Sequence, residues 1–201
     1  MKKSDNKRLF VLLILAILLT GCSNSSQAEP ENNVEAESEM ETEFQSETET
    51  EGESASSQIV FEGQDIEGNP VSSAIFSSSK LTMVNVWATY CNPCLSEMPV
   101  LGELAGEYEP DQFQIIGVIS DVLEGGDQKA IDLAANLIEQ TGANYTHLLL
   151  NQSIFHALLT DVTAVPTTFF IDESGTIVDI AIGAMDKSAW EEKINGLLQE
   201  S

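Results

Sequence analysis

Leu81-Thr82-Met83-Val84-Asn85-Val86-Trp87-Ala88-Thr89-Tyr90-Cys91-Asn92-Pro93-Cys94 is the stretch on which the fold turns. Its first seven residues form a near-continuous apolar run, the pattern of a central strand buried on both faces. A helix is predicted to begin near Asn92. Leu95, Met98, Leu101, Leu104, Ala105 and Tyr108 then recur at helical spacing until Pro110, and Pro99 is expected to kink the helix on the way. Two cysteines therefore stand where a buried strand hands over to a helix.

Outward from this stretch the chain alternates strand-like and helix-like segments, which argues an α/β domain with a sheet between helices. Ile59–Phe61 and Val71–Phe76 flank the turn-rich Asp65–Pro70 and predict a hairpin or a pair of short strands ahead of the main sheet. Phe113–Ile119 reads as a buried strand, Ala130–Ile138 as a helix closed by Gly142, and Tyr145–Leu150 as a further strand. A short helix is expected from about Ser153 to Leu159. Thr167–Ile171 and Ile177–Ile182 form a hairpin across Asp172-Glu173-Ser174-Gly175, and Ser188–Leu198 supplies the last helix.

The first 57 residues differ in kind. Lys2, Lys3, Lys7 and Arg8 precede an apolar run from Leu9 to Leu19 and then Thr20-Gly21-Cys22, the layout of a signal peptide over residues 1–21. That run is about half of the ~20 residues a spanning helix needs. Leu18-Leu19-Thr20-Gly21-Cys22 resembles a bacterial lipoprotein signal, which makes Cys22 the expected lipidation site; two acyl chains at ~0.8 kcal/mol per buried methylene would hold it to a membrane. Residues 22–57 carry eleven glutamates, no basic residue and almost no large apolar side chain, so they are expected to form a solvated acidic tether. Residues 58–201 are the expected domain.

Composition excludes more than it names. With 33 Asp and Glu against 8 Lys and Arg, the formal net charge of −25 would repel phosphate backbones, so nucleic acid is not an expected partner. If Cys22 carries lipid, Cys91 and Cys94 can pair only with each other or with a partner. A zinc site would need two further ligands, and His147 and His156 are not spaced as a ligand pair. No metal or cofactor is expected beyond a redox-active Cys91–Cys94 disulfide.

The cysteine spacing has its own chemistry. A thiol attacks a disulfide only as the thiolate, which a helix N-terminus stabilises, and Cys91 stands at such a place. Cys94, one turn on, can attack the mixed disulfide that Cys91 would form and release the reduced partner. Pro93 suits the first helical turn, where no N–H is needed.

Val84 to Pro99, together with Val118–Asp121, Val165-Pro166-Thr167-Thr168-Phe169-Phe170-Ile171-Asp172, Gly175 and Gly183, resembles the membrane-anchored thioredoxin-like reductases of the TlpA and ResA type over residues 58–201. The resemblance implies a thioredoxin-like fold: a central mixed β-sheet flanked by helices, here with an extra N-terminal β-hairpin. It implies that Cys91 is the exposed nucleophile, Cys94 the buried resolving thiol and Pro166 a cis proline. The turn at Pro166 would bring the Val165 backbone beside Cys91, where a substrate strand could pair with it. Tyr90, standing where the family usually has Trp, joins Asn92, Pro93, Val165 and Pro166 as the expected substrate-facing set.

Ordinary thioredoxins carry a buried aspartate where this chain has Asn85, so the proton-transfer role passes to Glu97; a solvent-exposed helix glutamate is the other reading of that residue. Trp87 is expected in the core, and the two histidines are expected to be structural or solvated.

The expected activity is thiol–disulfide exchange, reducing disulfides or oxidised thiols of exported proteins in cytochrome c maturation or oxidative repair. A membrane thiol carrier would recharge it, and the place would be the extracytoplasmic face of the cell membrane. A thiol peroxidase of the peroxiredoxin group is a competing reading, but those proteins carry a Thr-x-x-Cys motif and a distant arginine, and no arginine follows Arg8. A noncatalytic thioredoxin-fold binding module is the third.

Overall fold

A computed structural model describes residues 58–200. The expected signal peptide, Cys22 and the acidic tether lie outside the described residues.

Two short strands open the domain, β1 (Glu62–Gln64) and β2 (Pro70–Ser72), antiparallel to each other. The expected hairpin is there, but its strands lie closer to the turn than the apolar runs suggested. Ser73–Ser78 is a 3-10 helix that drives Phe76 into the core, so Val71–Phe76 is mostly not strand. Asp65 explains the shift: its carboxylate accepts from the backbone N–H groups of Glu67 and Asn69 and from the Asn69 side chain, which tightens the turn.

The main sheet contains β3 (Leu81–Trp87), β4 (Phe113–Leu123), β5 (Thr146–Leu150), β6 (Thr167–Asp172) and β7 (Ile177–Ile182). Their spatial order is β5-β4-β3-β6-β7; β4 runs parallel to β3 and β5, and β6 antiparallel to β3 and β7. All seven residues of β3 are buried, as its near-continuous apolar run requires of the middle strand, with Thr82 and Asn85 as its two buried polar members. The β1–β2 unit docks on the outer edge of β5 through the Asp65–Leu148 bridge and the hydrogen bond from Ile66 N–H to the His147 carbonyl.

Period-two alternation sorts β3 between two layers. Val84 and Val86 face Phe61, Phe76, Ile116, Leu148, Leu158 and Phe169 on one side. Leu81 and Met83 face Leu101, Leu104, Phe170, Trp190 and Ile194 on the other. The second layer is covered by α1 (Asn92–Ala105), α2 (Gln128–Thr141) and, after a one-turn α3 (Gln152–Ile154) on the first layer, α4 (Lys187–Glu200). By the same alternation Asn85 points beneath α1 rather than into the Val84 layer.

Helix ends follow local chemistry. α1 stops at Ala105, short of the expected Pro110, because the Gly106 N–H turns back to the Glu103 carbonyl and the Glu107 N–H to the Leu104 carbonyl; Tyr108 then packs its ring on Phe113 instead of extending the helix. Pro99 lies within α1, in a position exposed to solvent. Asp127 caps the start of α2, and Gly142 ends it at φ +69°, a conformation that a side chain would oppose. The backbone of Gly142 also needs Gly102 on α1, where a Cβ would come within 2.3 Å of the Gly142 carbonyl oxygen. Past α3 the backbone widens into a π turn over Phe155–Leu159, so the expected Ser153–Leu159 helix is one α turn followed by a bulge.

Candidate active site

The β3–α1 junction places both cysteines. Cys91 is the N-cap of α1, with φ −86° and ψ 93°, and its sulfur accepts from the Cys94 N–H at 3.2 Å. Cys91 and Cys94 are joined by a disulfide of 2.05 Å. Cys91 retains 6% of its surface and Cys94 none, so any attack from outside reaches Cys91 first. Pro93 sits in the first helical turn, where its missing N–H leaves no bond unmade.

The approach to this turn is tied from below. The Thr89 N–H donates to Asp121 at 3.0 Å, Ser120 Oγ donates to the Trp87 carbonyl at 2.9 Å, and the Cys91 N–H donates to the Ala88 carbonyl. Asp121 and Ser120 lie on β4, which runs parallel beside β3 and so delivers them to the same end of the sheet. Opposite stands the Val165–Pro166 peptide bond, which is cis, with the Val165 carbonyl oxygen 3.5 Å from Cys91 Sγ. Pro166 is buried, whereas Asn92, Pro93 and Tyr90 are exposed, Tyr90 at 74%. All of the expected substrate-facing residues thus gather around one sulfur.

Beneath the disulfide lies a buried polar group. Glu97, one turn after Cys94, is only 3% exposed, which overturns the solvent-exposed reading of this residue. Asn85 Nδ2 donates to Glu97 Oε1 at 3.1 Å and to Thr168 Oγ1 at 3.0 Å, and the Met185 N–H donates to Glu97 Oε2 at 3.3 Å. Burial is the largest influence and pushes the carboxyl up to about 7, against the smaller opposing effects of Asn85, Met185 and the Trp190 indole. The Trp190 N–H meets no acceptor at full hydrogen-bond geometry, and Asn85 Oδ1 and Tyr145 Oη are likewise buried and unpaired. Tyr145 is held far above the usual phenol range by burial first and by the Glu97 charge second. Glu97 is therefore the one acid of this polar island able to titrate near neutrality.

Among the described residues no ion pair offsets it. Residues 81–128 contain no Lys, Arg or His. His147 is buried, accepts from Trp87 Nε1 through Nδ1 at 3.2 Å and bonds the Ala143 carbonyl through Nε2, so Nε2 carries the proton. Burial lowers its pKa to about 4, which keeps it neutral. Trp87 and His147 are thus core residues, as expected, and His156 is exposed on the π turn. Gly117 opposite His147 leaves the space the ring fills, since a Cβ there would stand 2.1 Å from Nδ1. Among the described residues no three His, Cys, Asp or Glu side chains gather to hold a metal ion.

Sequence reasoning did not single out Met185, Thr168 as an Asn85 partner, or Asp121 as the Thr89 anchor. The Asn85–Thr168 pair follows from the β3–β6 register, in which the two residues are directly opposite. Met185 reaches Glu97 from a loop 88 residues away, and no local pattern marks it.

The geometry has close counterparts. The AhpC/TSA family matches residues 55–180. The thioredoxin-like protein YneN of Bacillus subtilis is 29% identical over 126 residues, 59% of this chain and 66% of that protein. The thiol-disulfide oxidoreductase ResA of Halalkalibacterium halodurans is 30% identical over 132 residues, 64% of this chain and 68% of that one. The chain thus spans about two thirds of the length of these curated relatives. In three dimensions it is similar to a thiol:disulfide interchange protein of the thioredoxin family from Chlorobium tepidum TLS, with a TM-score of 0.60 at 24% identity, covering 70% of this chain and 94% of the other. The chain belongs to the AhpC/TSA family and, within it, to the thioredoxin-like thiol–disulfide oxidoreductases.

Proposed function

We propose that this protein reduces disulfides of exported proteins from a lipid anchor on the outer face of the cell membrane. The observation that carries the reading is the Cys91–Cys94 pair at the α1 N-terminus, with one sulfur beside the Val165 backbone and the other sealed beneath it. In the reduced protein, the Cys91 thiolate attacks one sulfur of a substrate disulfide. A bond forms between Cys91 and that sulfur, and the other substrate sulfur leaves as a thiolate and takes up a proton. Cys94 loses its proton, attacks Cys91 Sγ and displaces the second substrate thiolate. The substrate gains two electrons and two protons, and the enzyme is left with its disulfide. A membrane thiol carrier then returns two electrons by the same exchange in reverse.

Each remaining group has an assigned part. The helix N-terminus stabilises the Cys91 thiolate, and Glu97 accepts the proton of Cys94. Tyr90, Asn92, Pro93 and Pro166 frame the approach, and Val165 offers its backbone to an extended substrate segment. Residues 1–21 act as the export signal, Cys22 carries the lipid and 22–57 form the tether, a reading supported by the basic, apolar and Gly-Cys order of residues 2–22. The peroxidase reading has no arginine to work with beyond Arg8.

One experiment in cells tests the chemistry and the location together. With the releasing thiol gone, Cys94→Ala should accumulate mixed disulfides through Cys91 in the membrane fraction. Adding Cys22→Ala should move those adducts to the soluble fraction or the medium. Absence of adducts would contradict the exchange mechanism, and adducts that stay with the membrane would contradict the lipid as sole anchor.

A further inference from the structure

More hydrogen-bonding groups lie around Glu97 than its two bonds use. Asn85 Nδ2 and the Met185 N–H each occupy one carboxyl oxygen, so an ionised carboxylate keeps room for about two further donors. Among the described residues, the buried side-chain atoms without a partner are Asn85 Oδ1, Trp190 Nε1 and Tyr145 Oη. Asn85 bonds Glu97 directly, and the Trp190 indole acts on its charge. Tyr145 joins them by packing. It lies against the layer of Leu101, Leu104 and Trp190 and against the layer of Cys91, Cys94 and Met98, and Glu97 stands on α1 between Cys94 and Leu101.

The phenol is held in place from behind. Asn85, Gly117 and His147 are successive partners across β3, β4 and β5. Because Gly117 has no side chain, the His147 ring fills its space, and Trp87 Nε1 and the Ala143 carbonyl fix that ring in turn. The Tyr145 ring rests on His147 with centroids 4.4 Å apart and planes inclined by 30°. The Tyr145 N–H also donates to the Ala143 carbonyl, at 2.9 Å, so ring and backbone are anchored at once.

A carboxyl that gains and loses a proton asks opposite things of its neighbours. Protonated, it has an O–H to donate; ionised, it only accepts. Asn85 Oδ1 suits the first state and the Trp190 N–H the second, whereas a hydroxyl serves both by rotating about its C–O bond. Burial and the Glu97 charge keep the phenol protonated, so it does not become a second anion. The other titratable groups nearby are Cys94 on α1 itself, His147, whose two nitrogens are taken, and Asp186, which is exposed and accepts from Ser188 and Ala189 at the start of α4. Asn85 of β3, Thr168 of β6, Trp190 of α4 and Ala134 of α2 carry no charge.

We propose that Tyr145 is a positioning residue for substrate release: its hydroxyl donates to the Glu97 carboxylate before Cys94 gives up its proton and accepts from the Glu97 O–H afterwards. The proton passes from Cys94 Sγ to a Glu97 oxygen, the electron pair stays on the thiolate that attacks Cys91, and Tyr145 ends as it began. This rests on the proton transfer proposed above and adds the group that sets the pH at which it works. A hydrogen bond to a charged group is stronger than one to its neutral form, so Tyr145 favours the carboxylate against burial.

Tyr145→Phe tests this, since it removes one oxygen and keeps the ring. Two quantities are followed against pH: the carboxyl carbon resonance of Glu97 in the oxidised protein, and the rate at which Cys94 expels the second thionitrobenzoate after the reduced protein has reacted with dithiobis(nitrobenzoate). Wild type should show both midpoints near 7. In Tyr145→Phe both should rise by about one pH unit, the difference between a charged and a neutral hydrogen bond. Release at pH 7 should then slow about fivefold, as the ionised fraction falls from about a half to about a tenth. An unmoved or lowered Glu97 midpoint would overturn the proposal. Slower release at every pH with an unmoved carboxyl would mark a structural effect and would overturn it as well. A Glu97 midpoint that rises while the release midpoint stays would separate Glu97 from the Cys94 proton, overturning the proton transfer itself and the part of Tyr145 with it.

Discussion

Cys91→Ser is expected to slow insulin reduction on the order of 10³-fold or more, because a serine hydroxyl in that place cannot form the mixed disulfide on which both half-reactions depend. The asymmetry of the two cysteines makes the outcome specific. Cys91 keeps a small open surface and lies 3.5 Å from the Val165 carbonyl, whereas Cys94 is wholly covered by the core that includes Trp87, Met98 and Ile119. Cys94→Ala therefore keeps the capture step and loses release, so it too fails to turn over but carries bound substrate. If Cys91→Ser trapped substrate and Cys94→Ala did not, nucleophile and resolving thiol would be exchanged.

Glu97→Gln should produce opposite effects on activity and on stability. The carboxyl titrates at about 7 in the folded protein against an ordinary value of 4.5. Between those values the folded state binds the extra proton, so the contribution of Glu97 to stability is present in full below pH 4.5 and is lost as pH rises through 7. A neutral glutamine does not lose it. The variant should be more stable than wild type above pH 7, by at most about 3 kcal/mol for a shift of this order at 1.36 kcal/mol per pH unit. Asn85 Oδ1, buried and unpaired, gives the new amide an acceptor once the Asn85 side chain turns over.

Activity should fall meanwhile. If Glu97 takes the proton of Cys94 as proposed, wild-type release of substrate should rise with pH through about 7, and removing that general base should cost ~10²-fold or more. In the variant that rise should vanish, leaving only the titration of the cysteines. A pH profile identical to wild type would show Glu97 to be a packing residue.

How much of this was legible in the sequence depends on the range of the interactions. β3 and the start of α1 are readable because a seven-residue, mostly apolar run and the Asn-Pro turn are local facts, and so is the Gly142 terminus of α2. The N-terminal hairpin lies a few residues from where apolar periodicity predicts it, since Asp65 sets the turn through side-chain bonds that periodicity does not register. The π turn at Phe155–Leu159 is not legible for a similar reason: its apolar residues fit an ordinary helix equally well, and Leu158 and Leu159 enter the same core in either form. At the site, Cys91, Cys94 and Pro166 could be marked on the chain, but the burial of Glu97 could not. A glutamate between Ser96 and Met98 on an amphipathic helix reads equally as surface, until Asn85 and Met185 close over it.

The central claim is that the Cys91–Cys94 pair works as a reductant, and its reduction potential is the direct measure. A strongly oxidising pair needs an unusually stabilised thiolate. Here the α1 N-terminus is the stabilising influence, no basic residue lies between Lys80 and Lys129, His147 is neutral, and the acid below the pair is Glu97. A negative neighbour disfavours a second negative charge. Equilibration of the protein with glutathione should give a potential near the roughly −270 mV of thioredoxin. A value near the roughly −120 mV of the strong oxidant DsbA would contradict the account.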